Sequence, residues 1–206
     1  MSHTSLPRLA RIGILAVIAI IPAACGGKQV TRIDPAAVTD LSGRWNDTDS
    51  RLVANELIEA SLGEAWLSRY SAANAGAAPV VIVGSFRNGT MEHIPVSTFV
   101  RDLERAFVSS GAVRIVASAD ERGEVRDERR DQQDNARADT RARMAQETGA
   151  RYMLQGDIVA IEDQEGRERV IFYQVDATLI DLQSNEKVWT GQKQLKKAIT
   201  QARIRM

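Results

Sequence analysis

The stretch from Pro79 to Val116 constrains the fold most, because its residues follow the order strand, polar loop, helix and strand. Val80 to Val83 form a β-branched run that is too short for a helix and apolar on both faces, as in a central strand. The helix that follows is predicted by apolar residues at four-residue spacing, Phe99, Leu103 and Phe107. Val113 to Val116 then begin a strand that a right-handed crossover lays parallel to the first. The stretch therefore predicts one βαβ unit.

The predicted helices have recognisable ends. Ser97 is a candidate N-cap of the helix in the βαβ unit, and Gly111 is a candidate for the residue that ends it. Before the unit, an amphipathic pattern predicts a helix from Asp47 to about Tyr70, with Gly63 as its weak point. Its apolar residues share one face: Val53, Leu57, Ile58, Leu62, Ala65 and Trp66.

The C-terminal part of the chain predicts three strands, Tyr152 to Ile161, Val170 to Leu182 and Val188 to Leu195. The middle strand alternates in polarity, and its apolar residues share one face: Ile171, Tyr173, Val175, Ala177 and Leu179. An antiparallel meander is the simplest arrangement of the three. Together with the βαβ unit it predicts an α/β fold with a mixed β-sheet and helices packed on it.

A densely charged segment, Ala119 to Glu147, lies between these two parts. Between residues 121 and 147, 7 arginines are matched by 8 aspartates or glutamates, so the charges largely cancel. The segment is interpreted as a loop and a solvated helix with salt-bridge support, and the alternative is a contact surface for a partner. Three alanines predict a narrow buried stripe: Ala138, Ala142 and Ala145.

The N-terminus has the features of a bacterial lipoprotein signal. Arg8 and Arg11 precede an apolar run from Ile12 to Ile21, which is too short to span a membrane as a stable helix. Small residues then lead to Cys25, the only cysteine, which is expected to carry the lipid. The alternative is an ordinary secretory signal followed by a free thiol. Because Gly26 and not aspartate follows Cys25, we expect lipid anchoring in the outer membrane, facing the periplasm.

These patterns predict four regions. Residues 1–24 form the signal peptide, residues 25–46 a flexible tether, residues 47–197 the α/β domain and residues 198–206 a C-terminal tail. The roughly 20 residues that follow Cys25 in the tether reach at most about 70 Å when fully extended, at about 3.5 Å per residue.

The composition and motifs predict no catalytic, metal or cofactor site. Lys+Arg and Asp+Glu both number 27, so no excess of positive charge is available to neutralise a nucleic acid. His93 is the one histidine after the signal and lacks spaced partners for a zinc site or a catalytic base. The loop from Gly84 to Thr90 resembles a phosphate loop, but threonine stands where that loop requires lysine. We expect a monomeric domain that is not an enzyme.

The polar loop RNGTMEHI, residues 87–94, is the candidate functional surface, because polar loops on rigid scaffolds tend to carry function. Its candidate partner-binding residues are Arg87, Asn88, Thr90, Glu92 and His93. The alternative is that Asn88, Gly89 and Thr90 only make the turn that begins the helix.

The same loop, the segment SSGAVRIV after the helix, RYMLQGDI and YQVDATLIDLQSNEKVWTGQKQLKK resemble the LpoB family of penicillin-binding-protein activators. The resemblance spans roughly residues 39–197 and includes the lipoprotein signal. It implies a fold like the TolB N-terminal domain, shared with CsgG-like secretion proteins. Well-studied members of the LpoB group have a longer, Pro-rich tether than this chain.

The resemblance also implies a function without enzymatic activity. It predicts an outer-membrane lipoprotein that binds and activates a class A (bifunctional) penicillin-binding protein in peptidoglycan synthesis. The alternative is a periplasmic structural or secretion-associated, CsgG-like lipoprotein with a different protein partner. A secretion pore would require membrane strands of about 10 residues each, and the sequence has no spare segment of that kind.

Overall fold

A computed structural model describes residues 29–142 and 147–200. The predicted signal peptide, Cys25 and residues 201–206 of the predicted C-terminal tail lie outside this range. The chain divides into two units, Met1–Pro35 and Ala36–Met206, and the second contains every helix and strand described below. In chain order, these elements are α1 Asp47–Leu62, α2 Ala65–Ala73, β1 Val80–Asn88, α3 Val96–Ser110, β2 Arg114–Ile115, α4 Ala119–Asn135, β3 Tyr152–Glu165, β4 Glu168–Asp181 and β5 Lys187–Thr200.

The five strands form one mixed sheet in the order β2-β1-β3-β4-β5. β1 pairs in parallel with both β2 and β3, and β3, β4 and β5 pair antiparallel. The predicted βαβ unit and the predicted meander are both confirmed, and with them the α/β fold class. β5 extends to Thr200, into the predicted C-terminal tail, because Ala198 and Thr200 pair with Val170 and Glu168 of β4.

The register of β1 against β3 shifts between Val83 and Phe86, where β1 bulges. The bulge brings Phe86 opposite Gly156, and a side chain at Gly156 would overlap both the Phe86 ring and the carbonyl oxygen of Asp176. Glycine at this position therefore lets Phe86 enter the core, where its ring meets Phe99 edge to face at 5.3 Å.

The predicted helix from Asp47 to Tyr70 is two helices, because α1 ends at Leu62, with Gly63 as its C-cap, and α2 begins at Ala65. α1 starts with a capping box, in which Asn46 and Asp49 exchange side-chain and backbone hydrogen bonds. On the predicted apolar face, Leu62 is only half-buried and Ala65 is exposed.

α3 begins at Val96, directly after Pro95, and no side chain caps it, so the predicted N-cap role of Ser97 is wrong. A proline at this point presets the backbone angle φ before the first turn. Gly111 ends the helix in the left-handed conformation, with φ 65°, as predicted.

The core lies between the helices and one face of the sheet. It contains the predicted stripe of α3, in which Phe99, Leu103 and Phe107 are fully buried. The predicted face of β4 is buried along its whole length. Its residues Ile171, Tyr173, Val175, Ala177 and Leu179 are each exposed by 1% or less.

The charged segment forms α4, a helix without a buried residue. Residues 136–142 leave the helix, so Ala138 is exposed and Ala142 half-buried, and the predicted alanine stripe is wrong for both. Ala145 lies outside the described residues. Glu147 binds Arg126 through both carboxylate oxygens at 2.8 Å, and the guanidinium groups of Arg122 and Arg129 lie within 3.8 Å. α4 is thus held by ion pairs on a solvated surface.

Candidate functional site

The candidate site is the connection between β1 and α3, residues 87–93, here called the β1–α3 loop. Asn88 organises it: the side-chain oxygen accepts from the backbone N–H of Thr90 at 2.9 Å and from its hydroxyl at 2.8 Å. The Asn88 amide donates to the backbone carbonyl of Glu92 at 2.7 Å. The Thr90 hydroxyl oxygen also accepts from the backbone N–H of Glu92 at 3.1 Å. Asn88 and Thr90 thus use their polar groups to hold the shape of the loop.

Glu92 points into the domain. One carboxylate oxygen accepts from the hydroxyl of Tyr173 at 2.7 Å, and the other accepts from the backbone N–H of Trp45 at 3.1 Å. Tyr173 is fully buried; burial and the bond to Glu92 both raise the pKa of its hydroxyl. The carboxylate of Glu92, a candidate partner-binding residue, is thus bonded within the fold and does not point to solvent.

Three side chains of the loop point outward: Arg87, Met91 and His93. The Arg87 side chain is 82% exposed, and the nearest acidic group is Asp157 of β3 at 4.0 Å. Met91 is fully exposed at the middle of the loop. Met91 lies in the predicted loop but is not among its candidate partner-binding residues. The sequence feature that could have identified Met91 as a contact residue is an apolar side chain at the centre of a polar loop.

A shallow polar groove of about 460 Å³ adjoins the loop on the sheet face opposite the core. It is lined by Ser85, Arg87, Gln155, Gly156, Asp157, Thr178 and Lys187. Arg87 belongs to both the loop and the groove. Loop and groove thus form a continuous polar surface with one exposed methionine beside it.

Chemical groups for metal binding do not converge in the described part of the chain. In residues 29–142 and 147–200, no group of three or more His, Cys, Asp or Glu side chains is placed to hold a metal ion. Within the same residues, no helix combines the length and the apolar character needed to cross a membrane.

The arrangement defines a class of protein: an α/β domain with a mixed sheet, whose internally bonded loop holds a few side chains toward solvent. A family model described as peptidoglycan-synthase activator LpoB matches residues 49–195. The chain belongs to this family, as the resemblance predicted. The matched range contains the β1–α3 loop and ends within β5.

Solved structures of similar fold include LpoB domains. The LpoB C-terminal domain from Salmonella enterica is 16% identical, with a TM-score of 0.40, and the match covers 74% of this chain and 99% of that one. The C-terminal domain from Escherichia coli is also 16% identical, with a TM-score of 0.39 and the same coverage. The NMR structure of Escherichia coli LpoB is 14% identical, with a TM-score of 0.41, and the match covers 98% of this chain and 96% of that one. A search of curated proteins found no match.

Proposed function

We propose that this protein is an outer-membrane lipoprotein that binds a class A penicillin-binding protein and raises its glycan polymerisation. The observation that supports the proposal is the family match over residues 49–195, because the family is described as a peptidoglycan-synthase activator. Cys25 is the proposed lipid attachment site, and the periplasm is the proposed compartment. The domain is proposed to act as a monomer and without enzymatic activity.

The proposed contact surface is the outward side of the β1–α3 loop, with Arg87, Met91 and His93 as its anchors. A charged guanidinium and an exposed methionine on a rigid loop are typical of binding surfaces, since arginine and methionine are enriched at interfaces. Asn88, Thr90 and Glu92 are proposed to support the contact by holding the loop, because their polar groups are already bonded.

The test is binding of the purified protein to a purified class A enzyme from the same cell, together with glycan polymerisation. Joint replacement of Arg87, Met91 and His93 by alanine is expected to weaken binding about tenfold or more, as loss of interface anchors does. The melting temperature should change little, because all three side chains are exposed.

The matched control replaces an arginine, an exposed apolar residue and a small polar residue elsewhere: Arg69, Val108 and Ser109. This triple variant should bind like the wild type. If the loop triple variant still binds the enzyme, the activator proposal stands and the loop is rejected as the contact surface. If no class A enzyme of the cell binds, the activator proposal is wrong, and a pull-down would then test for the different partner of the alternative function.

A further inference from the structure

Residues 40–45, here called the strap, lie on the domain although the sequence places them in the tether. Lys197 of β5 donates to two acceptors in the strap, Asp40 at 2.7 Å and the backbone carbonyl of Arg44 at 3.2 Å. It also donates to Asp49 of α1 at 2.6 Å. Three acceptors satisfy the three protons of an ammonium group. Burial alone would lower the pKa of Lys197, but the bonds to Asp40 and Asp49 outweigh it and raise that pKa. Lys197 near the end of β5 thus holds the strap against the start of α1.

Gly43 lets the strap pass close to β5. Its φ is 69°, in the left-handed region, and a side chain at this position would overlap the side chain of Ile199. This contact also gives a physical reason for the extension of β5 beyond its predicted end. The strap is therefore shaped to fit the domain.

Trp45, at the end of the strap, packs against the core. Its indole N–H donates to the hydroxyl of Ser50 at 2.8 Å, and its ring meets Phe99 at 6.0 Å and Tyr173 at 5.5 Å, both edge to face. Phe99 and Tyr173 are fully buried. Edge-to-face aromatic pairs at such distances are favourable beyond the area that they bury.

The strap and the β1–α3 loop meet at Glu92. Its carboxylate accepts from the backbone N–H of Trp45, and its backbone carbonyl accepts from the side chain of Asn88, which organises the loop. Without the strap, this half-buried carboxylate would lose one of its two donors within the fold. An unsatisfied carboxylate is costly to bury, so Glu92 would turn toward water and release the loop.

We infer that the strap positions the β1–α3 loop, so that the last residues of the tether support the surface that binds the partner. The partner and its contact with the loop rest on the function proposed above; the ordering of the loop by the strap does not. Trp45 and Glu92 are positioning residues for the loop.

The test uses the full-length protein and compares Trp45→Ala with Trp66→Ala. Trp66 is the matched control, because it is buried in the same core and donates its indole N–H to Ser61 at 2.6 Å, while its ring contacts Tyr152 and not the loop. Both variants should lower the melting temperature. Only Trp45→Ala is expected to accelerate amide hydrogen exchange of residues 88–93, by about tenfold or more relative to β4.

A conservative variant and a variant on the loop side complete the test. Trp45→Phe should restore slow exchange in the loop, because it keeps an aromatic ring against Phe99 and Tyr173, and that ring holds in place the backbone N–H that binds Glu92. Should Trp45→Ala not fold, Glu92→Gln examines the same link from the other side. It removes the charge and replaces one of the two acceptor oxygens by an NH2 donor, so that the bonds from Tyr173 and Trp45 cannot both be kept, and exchange of residues 40–45 should accelerate.

Equal loop exchange in Trp45→Ala and Trp66→Ala, or unchanged exchange of the strap in Glu92→Gln, would overturn the inference. Partner binding separates it from the proposed function. Faster loop exchange with weaker binding supports both. Faster loop exchange with unchanged binding supports the strap's role and rejects the loop as the contact surface.

Discussion

Buried Asp181, where β4 ends, forms an ion pair with half-buried Arg151. The guanidinium donates twice to one carboxylate oxygen of Asp181, at 2.6 and 3.0 Å, and the other oxygen accepts from the backbone N–H of Gln183 at 2.8 Å. Burial alone would raise the pKa of Asp181, but the backbone N–H of Gln183 and the Arg151 side chain outweigh it and lower that pKa. Because the folded pKa lies below the unfolded value of about 3.9, the pair stabilises the fold above that pH and loses its effect as the pH falls.

Arg151→Gln is therefore expected to reduce the free energy of unfolding at pH 7, because it removes both charge-assisted hydrogen bonds to Asp181. The difference from the wild type should shrink as the pH falls below about 4, because Asp181 takes up a proton. Urea unfolding at pH 7 and pH 3 measures both. The control is Arg130→Gln, which breaks an exposed pair with Asp127 and should cost at most about 1 kcal/mol. An equal loss at both pH values would contradict the prediction.

The polar side chains of the loop were predictable from the sequence, but their directions were not. Turn-forming residues between a strand and a helix predict a loop, and Asn88 bonds to residues only two and four positions away. Glu92 instead meets Trp45 and Tyr173, which lie 47 and 81 residues away in the chain. Such contacts depend on the finished fold, so the inward direction of Glu92 could not be predicted from the sequence.

At the scale of elements, the periodicity of apolar residues predicted the helices and strands that pack against the core. The alternation in β4 and the four-residue spacing in α3 match the buried faces. In segments that do not pack against the core, the residue pattern was not sufficient to predict the structure. Ala138 is exposed after α4 ends, whereas the break after Leu62 falls at Gly63, the predicted weak point of the helix.

α4 is the element that the core supports least. None of its residues is buried, so its stability comes from its capping box at Ser118 and from ion pairs such as that of Arg126 with Glu147. Exposed ion pairs contribute at most about 1 kcal/mol each. We therefore expect amides of α4 to exchange about tenfold or more faster than those of α3, which buries Leu103.

Hydrogen exchange measured by mass spectrometry on one sample compares the two helices directly. Arg126→Gln should accelerate exchange in α4 and leave α3 unchanged, because the arginine contacts Glu147 and no core residue. Equal protection of α3 and α4 in the wild type would show that α4 has support beyond these ion pairs.

At the scale of the molecule, the docked strap shortens the tether. If residues 40–45 stay on the domain, only about 15 residues after Cys25 remain to span distance, which gives a reach of at most about 50 Å and not 70 Å. The domain must therefore meet its partner near the membrane that carries it. This condition rests on the proposed lipid anchor.

We predict that the anchor and the tether length both decide activation in cells, while neither decides binding in solution. Cys25→Ser should move the protein from the outer-membrane fraction to the soluble periplasmic fraction, because the lipid supplies the attachment. Deletion of residues 28–35 should leave the protein in the membrane but shorten its reach by about 28 Å, at about 3.5 Å per residue. This deletion ends before the strap, so both variants should bind the purified enzyme like the wild type. Peptidoglycan synthesis in cells should fall in both variants.

Two outcomes would contradict the prediction. Retention of Cys25→Ser in the outer membrane would refute the lipid anchor, and full activation by the deletion variant would show that the partner lies within the shorter reach.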